Sequence, residues 1–170
     1  MRMELKNNSA MLMTAALLIA TCGVFSKSAQ ADDVQIKATV KAVCSLSMDP
    51  VVDLGDILIT EFNGKEAGQE ISGHDTSFAI TPNCAGTTKY ALTFTPVKAS
   101  SGCLEATSEE IAFCLYDSDG DKINLATTGT QVEKDYNASA ETIKVVPARA
   151  TKAPGVGVHS GTMTVTIAPL

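Results

Sequence analysis

The sequence contains no tryptophan, and aromatic residues make up only 5% of it. Small-ligand and carbohydrate sites depend heavily on aromatic side chains, so this composition offers little material for one. Basic residues are also in deficit, because Lys and Arg total 13 against 19 Asp and Glu. A nucleic-acid partner requires a basic face, and the acidic balance argues against such a partner.

Motifs for catalysis and metal binding are scarce as well. The only histidines are His74 and His159, and no serine near them lies in a Gly-x-Ser-x-Gly context. No cysteine has the Cys-x-x-Cys spacing that is typical of zinc sites. We therefore predict no enzymatic activity, no cofactor and no metal.

One local motif, Asp117-Ser118-Asp119-Gly120-Asp121, is similar to a calcium loop. An EF-hand loop would need a glutamate eleven residues after Asp117, where Thr128 stands. Asp and Gly are also the ordinary residues of tight turns. The motif therefore predicts the tip of a hairpin.

Residues 1–31 have the features of a secretory signal peptide. The basic residues Arg2 and Lys6 lie near its start, and residues 11–20 form an apolar run. The small-x-small cleavage site Ala29-Gln30-Ala31 ends it. The apolar run is shorter than the roughly 20 residues of a membrane-spanning helix, which disfavours a permanent anchor. Cleavage would leave residues 32–170 as one exported domain.

Four cysteines remain after this cleavage: Cys44, Cys84, Cys103 and Cys114. An even number of cysteines in an exported chain indicates disulfide bonds. Three pairings are possible, and proximity in the sequence favours Cys44–Cys84 together with Cys103–Cys114.

The segment directly behind the cleavage site, which we call the arm (residues 34–41), alternates apolar and polar residues. Its apolar positions are Val34, Ile36, Ala38 and Val40. This period of two predicts a strand with one dry and one wet face. A free strand of this kind needs a sheet edge, which can belong to another molecule. The alternative is an ordinary edge strand of its own domain, because alternation alone does not tell which sheet is completed.

Other apolar, β-branched runs recur between turn signals along the chain. We predict strands at residues 43–48, 51–54 with a continuation to 59, 78–81, 90–95, 111–116, 122–125, 142–150 and 161–167. Roughly six to eight short strands with Gly and Pro between them favour an all-β sandwich.

With these features in view, the chain resembles the structural subunits (pilins) of chaperone–usher fimbriae. The resemblance depends on the arm, on Cys44 just behind it and on the early Leu54-Gly55. It also depends on the partner cysteine, Cys84, and on the Gly-led last strand at residues 161–167. The chain departs from the family in having Ala38 where a glycine is usual, and in its pair Cys103 and Cys114.

The resemblance implies an immunoglobulin-like β-sandwich that lacks its final strand and is completed in trans by a donor strand. Residues 32–43 would be the N-terminal donor-strand extension, and residues 44–170 the pilin domain. Val34, Ile36, Ala38 and Val40 would insert into a neighbouring subunit. Met163, Val165 and Ile167 would line the subunit's own groove and face the chaperone, and Cys44 and Cys84 would join the first two strands.

The function implied is that of a fimbrial subunit, which polymerises by donor-strand exchange and supports cell adhesion. Its partners would be neighbouring pilin subunits, a periplasmic chaperone and an outer-membrane usher, on an export route through the periplasm to the cell surface. Two alternatives are a self-complete secreted β-sandwich that binds a small ligand or carbohydrate, and a secreted hydrolase. The first would need an aromatic, polar site and the second a nucleophile with its base, and neither is evident.

Overall fold

The computed structural model describes residues 35–170, so the signal-peptide prediction and Val34 lie outside the described residues. Thr39–Leu170 forms one compact unit, and residues 35–38, which fall outside it, contain no helix or strand. In the part of the chain that is described, no helix is long and apolar enough to cross a membrane.

The described residues form ten strands and one short 3-10 turn at Ile59–Phe62. In chain order the strands are β1 (Val43–Met48), β2 (Thr76–Ala85), β3 (Lys89–Pro96), β4 (Ala99–Ser100), β5 (Cys103–Glu105), β6 (Ile111–Tyr116), β7 (Lys122–Ile123), β8 (Thr130–Asp135), β9 (Glu141–Arg149) and β10 (Met163–Pro169).

These strands form two antiparallel sheets with the main core between them. The larger sheet has the order β1-β2-β9-β6-β5-β4, with β7 paired to β6, and the smaller has the order β10-β3-β8. The core takes side chains from both sheets: Phe78, Ile80, Leu115, Ile143 and Val145 from the larger, and Tyr90, Leu92, Phe94 and Val165 from the smaller. The predicted all-β sandwich is therefore confirmed.

Strand β3 supplies the centre of this core. Tyr90, Leu92 and Phe94 are at most 1% exposed, as their alternation predicts. The Tyr90 hydroxyl donates a hydrogen bond to Glu141 Oε1 at 3.2 Å. Burial, together with the charge of Glu141, raises the pKa of Tyr90 to about 12. The phenol therefore stays neutral and keeps its proton for that hydrogen bond.

Both disulfides that sequence proximity favours are present in the structure. Cys44 and Cys84 lie opposite each other in the β1–β2 ladder, with an S–S distance of 2.02 Å. Cys103 and Cys114 join β5 to β6, with an S–S distance of 2.01 Å, and both residues are fully buried. The first bond attaches edge strand β1 to β2, the one strand with which it pairs among the described residues.

The strand predicted at residues 51–54, with its continuation to 59, is wrong. Val52 and Leu54 are half-buried while Val51 and Asp53 are exposed, so the segment has the predicted alternation. It nevertheless pairs with no other strand in the described chain. Alternation reports which side chains face the core, whereas a strand also needs a hydrogen-bonded partner.

Strand β2 runs through Pro82, although the sequence places its end there. β9 pairs with β2 only from Thr76 to Ile80, and beyond that point β2 has β1 as its single partner. Proline is tolerated on such an edge because no neighbour requires its missing N–H. Strand β8 was not predicted, since Val132 is its only apolar residue.

Removing the Cys44–Cys84 bond by paired substitution to alanine should lower the free energy of unfolding by about 4 kcal/mol. The reason is that the unfolded chain regains the freedom of a loop whose ends are 40 residues apart. Urea unfolding of the oxidised mature chain measures this. The paired Cys103→Ala and Cys114→Ala variant, with a separation of 11 residues, is the comparison and should lose about 3 kcal/mol. A loss below about 1 kcal/mol for the first pair would contradict the prediction.

Candidate functional site

The candidate site lies where two sheet edges approach each other. Within residues 35–170, β1 is an edge strand of the larger sheet and pairs only with β2, and β10 is an edge strand of the smaller sheet and pairs only with β3. Their Cα atoms come within 8 Å of one another, yet no ladder joins the two strands in the described residues. Each strand therefore has one edge whose backbone N–H and C=O groups have no strand to pair with.

The side chains that flank this gap are apolar and incompletely covered. Leu46 and Met48 of β1, with Met163 and Ile167 of β10, are half-buried and pack against the main core. Val165, between the latter two, is 9% exposed. The core is thus open along the gap, where a further layer of apolar side chains would bury it.

The gap widens into a groove at the end where β1 stops and β10 begins. Residues 48–59 form one lip of this groove and residues 154–163 form the other. Its floor contains Phe78, Leu104, Phe113 and Leu115, and its volume is about 1060 Å³. A drug-sized ligand fills roughly 300–1,000 Å³, so the groove could hold a segment of polypeptide.

The second lip, residues 154–163, is held against the body of the domain by polar contacts. The Gly155 N–H donates to Glu110 Oε2 at 3.0 Å, and the Thr107 N–H donates to the Ser160 carbonyl at 3.0 Å. Val156 and Val158 on this lip are nevertheless 93% and 99% exposed. The lip is therefore fixed in place while it presents apolar side chains to solvent.

A salt-bridge network next to this lip adds to its anchoring. Lys152 Nζ lies 2.8 Å from Glu109 Oε2, and Lys98 Nζ lies 2.6 Å from Glu109 Oε1. The hydrogen bonds from Lys152 and then Lys98 lower the pKa of Glu109 to about 2. The Glu109 carboxylate thus remains charged at any ordinary pH, so its salt bridges with Lys152 and Lys98 persist.

The apolar face of the arm is exposed in the residues that the structure describes. Ile36 is 90% exposed, Val40 is 94% exposed, and Ala38 is exposed as well. Val34 lies outside the described residues. Large aliphatic side chains at such exposure gain nothing from the hydrophobic effect until something covers them. Their insertion into a neighbouring subunit stays a prediction.

The residues predicted for the groove are on one face of β10 but meet different surroundings. Met163 lines the groove, Val165 is part of the main core, and Ile167 is half-buried further along the gap. The sequence analysis missed the opposite wall, Leu46 and Met48. The signal was available, because these two residues alternate with Ser45 and Ser47 in β1.

Ser108, which is hydrogen-bonded to His159, does not form a hydrolase triad with it. Ser108 Oγ is 2.9 Å from His159 Nδ1, and Glu110 Oε2 is 3.4 Å from the same nitrogen. The other nitrogen, Nε2, is bound to the Gly155 carbonyl at 3.0 Å. A triad needs the serine and the orienting carboxylate on opposite nitrogens of the ring. This histidine instead joins the second lip to the turn that contains Ser108.

The calcium-like motif is a hairpin tip, as predicted, between β6 and β7. Asp117 Oδ1 accepts hydrogen bonds from the N–H groups of Asp119 and Asp121, both at 3.0 Å. Its Oδ2 accepts from Lys134 Nζ at 3.1 Å. The carboxylate therefore already has partners within the chain, and the described residues contain no cluster that could hold a metal ion.

Replacing Asp117 with asparagine should lower the free energy of unfolding by about 1–3 kcal/mol at pH 7, because a charged acceptor is lost. Burial raises the pKa of Asp117, but hydrogen bonds from Lys134 and the backbone outweigh burial and leave this pKa below its usual value. The stabilisation is therefore present above the ordinary aspartate pKa, and it disappears as the pH falls below about 4. Urea unfolding across pH 3–7 measures the effect. Asp121→Asn is the control, and an equal loss in both variants would contradict the assignment.

No protein-family model matches this sequence, and no curated protein matches it either. Among solved structures, the P pilus rod subunit PapA is similar, with a TM-score of 0.55 and 15% identity over 75% of this chain and 99% of that one. The CupB6 tip adhesin from Pseudomonas aeruginosa has a TM-score of 0.43 and 11% identity over 73% of this chain and 41% of that one. At this identity the similarity to PapA shows the fold alone: this chain has the β-sandwich of a pilus rod subunit, and the absence of a final strand stays a prediction.

Proposed function

We propose that this chain is a structural subunit of a surface fimbria, which polymerises by donor-strand exchange and supports cell adhesion. The observation that carries the proposal is the open apolar gap between β1 and β10, in a chain whose arm exposes Ile36 and Val40. Adjacent strands of a sheet lie about 4.8 Å apart, so β1 and β10, whose Cα atoms come within 8 Å of one another, would have to separate slightly to admit a strand between them. The entering strand would then pair with both unpaired edges. It would also cover side chains that the sandwich leaves half-buried.

The arm has suitable dimensions for this role. β10 contains 7 residues, which at about 3.4 Å per residue span roughly 24 Å. Residues 34–41 would span about 27 Å in the same conformation. Alternate side chains of a strand lie about 7 Å apart on one face, so the apolar residues of the arm would be spaced like those of β10.

The energetic argument also favours exchange between molecules. Burying an aliphatic side chain that was exposed contributes about 1.5–3 kcal/mol, so Ile36 and Val40 would supply much of the binding free energy. Further stabilisation would come from the backbone hydrogen bonds along both edges. An edge of this kind that stays open promotes aggregation, and a subunit would need protection before assembly.

The partners follow from the resemblance to chaperone–usher pilins. They are neighbouring subunits, a periplasmic chaperone that fills the groove before assembly, and an outer-membrane usher on the route to the cell surface. A non-enzymatic role agrees with the geometry around His159, whose two ring nitrogens are occupied in a way that does not produce a hydrolase triad. We therefore propose an exported, non-catalytic subunit.

Ile36→Asn should abolish fibre formation while leaving the stability of the subunit nearly unchanged. The reason is that an amide buried in an apolar groove without a partner costs several kcal/mol, whereas the exposed Ile36 contributes nothing to its own subunit. Fibre yield on cells and thermal unfolding of the chaperone-bound subunit are measured in parallel.

Thr39→Asn is the matched control, because it introduces the same residue on the wet face of the arm and should assemble normally. Loss of subunit stability together with assembly in Ile36→Asn would show that the arm belongs to its own domain. Normal assembly of Ile36→Asn would reject donor-strand exchange, and a self-complete ligand-binding sandwich would then become the better proposal.

A further inference from the structure

The charged side chains that line the groove have an unusual distribution. Apart from His159, they are three aspartates, Asp49, Asp53 and Asp56, and residues 35–170 contribute no lysine or arginine to the lining. All three belong to residues 49–56, which we call the acidic lip. The groove is therefore apolar at its floor and negatively charged along one side of its mouth.

These aspartates are available to a partner. All three are exposed, and none lies within 4.0 Å of a basic nitrogen in residues 35–170, whereas other carboxylates such as Glu109 and Asp117 have lysine partners. Asp53 Oδ1 accepts a hydrogen bond from the Gly55 N–H at 2.9 Å, which fixes the turn of the lip and leaves the charge in place. The acidic lip thus carries three negative charges that the described chain does not neutralise.

The arm has the complementary pattern. Lys37 and Lys41 are its only charged residues, and both are exposed. They lie four positions apart, so an extended conformation places both on the wet face, opposite Ile36 and Val40. The arm therefore combines the two properties that the groove would select, an apolar face and positive charge at its solvent side.

We propose that the acidic lip selects the arm of a second copy of this chain, through attraction between Asp49, Asp53 and Asp56 and the lysines Lys37 and Lys41. This inference rests on the proposed function and specifies its partner. The chain would accordingly form a homopolymer, in which each groove recognises the charge of the next arm as well as its apolar side chains.

The attraction acts mainly on the rate of assembly. Exposed ion pairs add little to affinity, because solvent and salt screen them. Complementary charges around a binding site nevertheless steer encounter, and they raise association rates by 10- to 1,000-fold at low ionic strength. At low salt the Debye length approaches 30 Å, so Lys37 and Lys41 need not contact the aspartates to be steered.

The test is a charge-reversal cycle in the mature chain. Its variants are Lys37→Glu with Lys41→Glu, Asp49→Lys with Asp53→Lys, and the four substitutions combined. Self-assembly of each purified chain is followed by light scattering at low and at high salt. Each reversed pair should slow assembly by about tenfold at low salt and little at high salt. The combined variant should recover the wild-type rate to within about threefold, because opposite charges face each other again.

Three outcomes would overturn the inference in distinguishable ways. If the lysine variant assembles at the wild-type rate at low salt while Ile36→Asn does not assemble, charge selection fails and donor-strand exchange stands. If both reversed pairs are slow and the combined variant is not restored, the lysines of the arm and the aspartates of the acidic lip do not act on each other, so charge selection fails while donor-strand exchange stands. If Ile36→Asn assembles normally, the proposed function itself fails. Circular dichroism confirms that each variant retains its β-sandwich.

Discussion

The structure depends on one constraint: two strands, β1 and β10, each hydrogen-bond to a single neighbour while their side chains belong to the core. Backbone N–H and C=O groups that are shielded from water need a partner, and in the described residues the outer edges of β1 and β10 have no strand that would provide one. The Cys44–Cys84 bond and the long β3–β10 ladder hold these two strands in place. The gap between them is consequently well defined rather than a frayed edge.

In the proposed exchange, the final stabilisation of the domain would depend on a partner. Folding buries only part of the apolar surface of some core side chains, and the rest still contacts water. These side chains are Leu46, Met48, Met163 and Ile167. In the proposed exchange, a second molecule supplies both the missing hydrogen bonds and the missing cover. Folding and assembly would then draw on the same interactions, and the apolar groove would be covered in the assembled fibre.

Charge has two different uses in this domain. Lysines pair with carboxylates where a loop needs to be fixed, as Lys152 and Lys98 do with Glu109 beside the second lip, and as Lys134 does with Asp117 at the hairpin tip. Within the part of the chain that the structure describes, the aspartates of the acidic lip have no such partner. The fixed loops give the groove its shape. The unpaired charges at its mouth are able to act on an approaching molecule, because a cleft lined by charges of one sign focuses their electric field.

The sequence by itself determined the sandwich, the disulfide pairing that proximity favours, and the buried face of β3, because period-two alternation and turn residues are local properties of the chain. It did not determine that residues 51–59 lack a ladder, that β2 continues through Pro82, or that the polar segment Thr130–Asp135 is a strand. Each of these depends on which backbone lies alongside, and that is fixed only when distant segments pair. The groove is also defined only when distant segments of the chain come together. The alternation of Met163, Val165 and Ile167 indicated one wall. Leu46 and Met48 alternate as well, but only the tertiary structure brings them opposite that wall, more than 100 positions away in the sequence, and places the acidic lip beside the same opening.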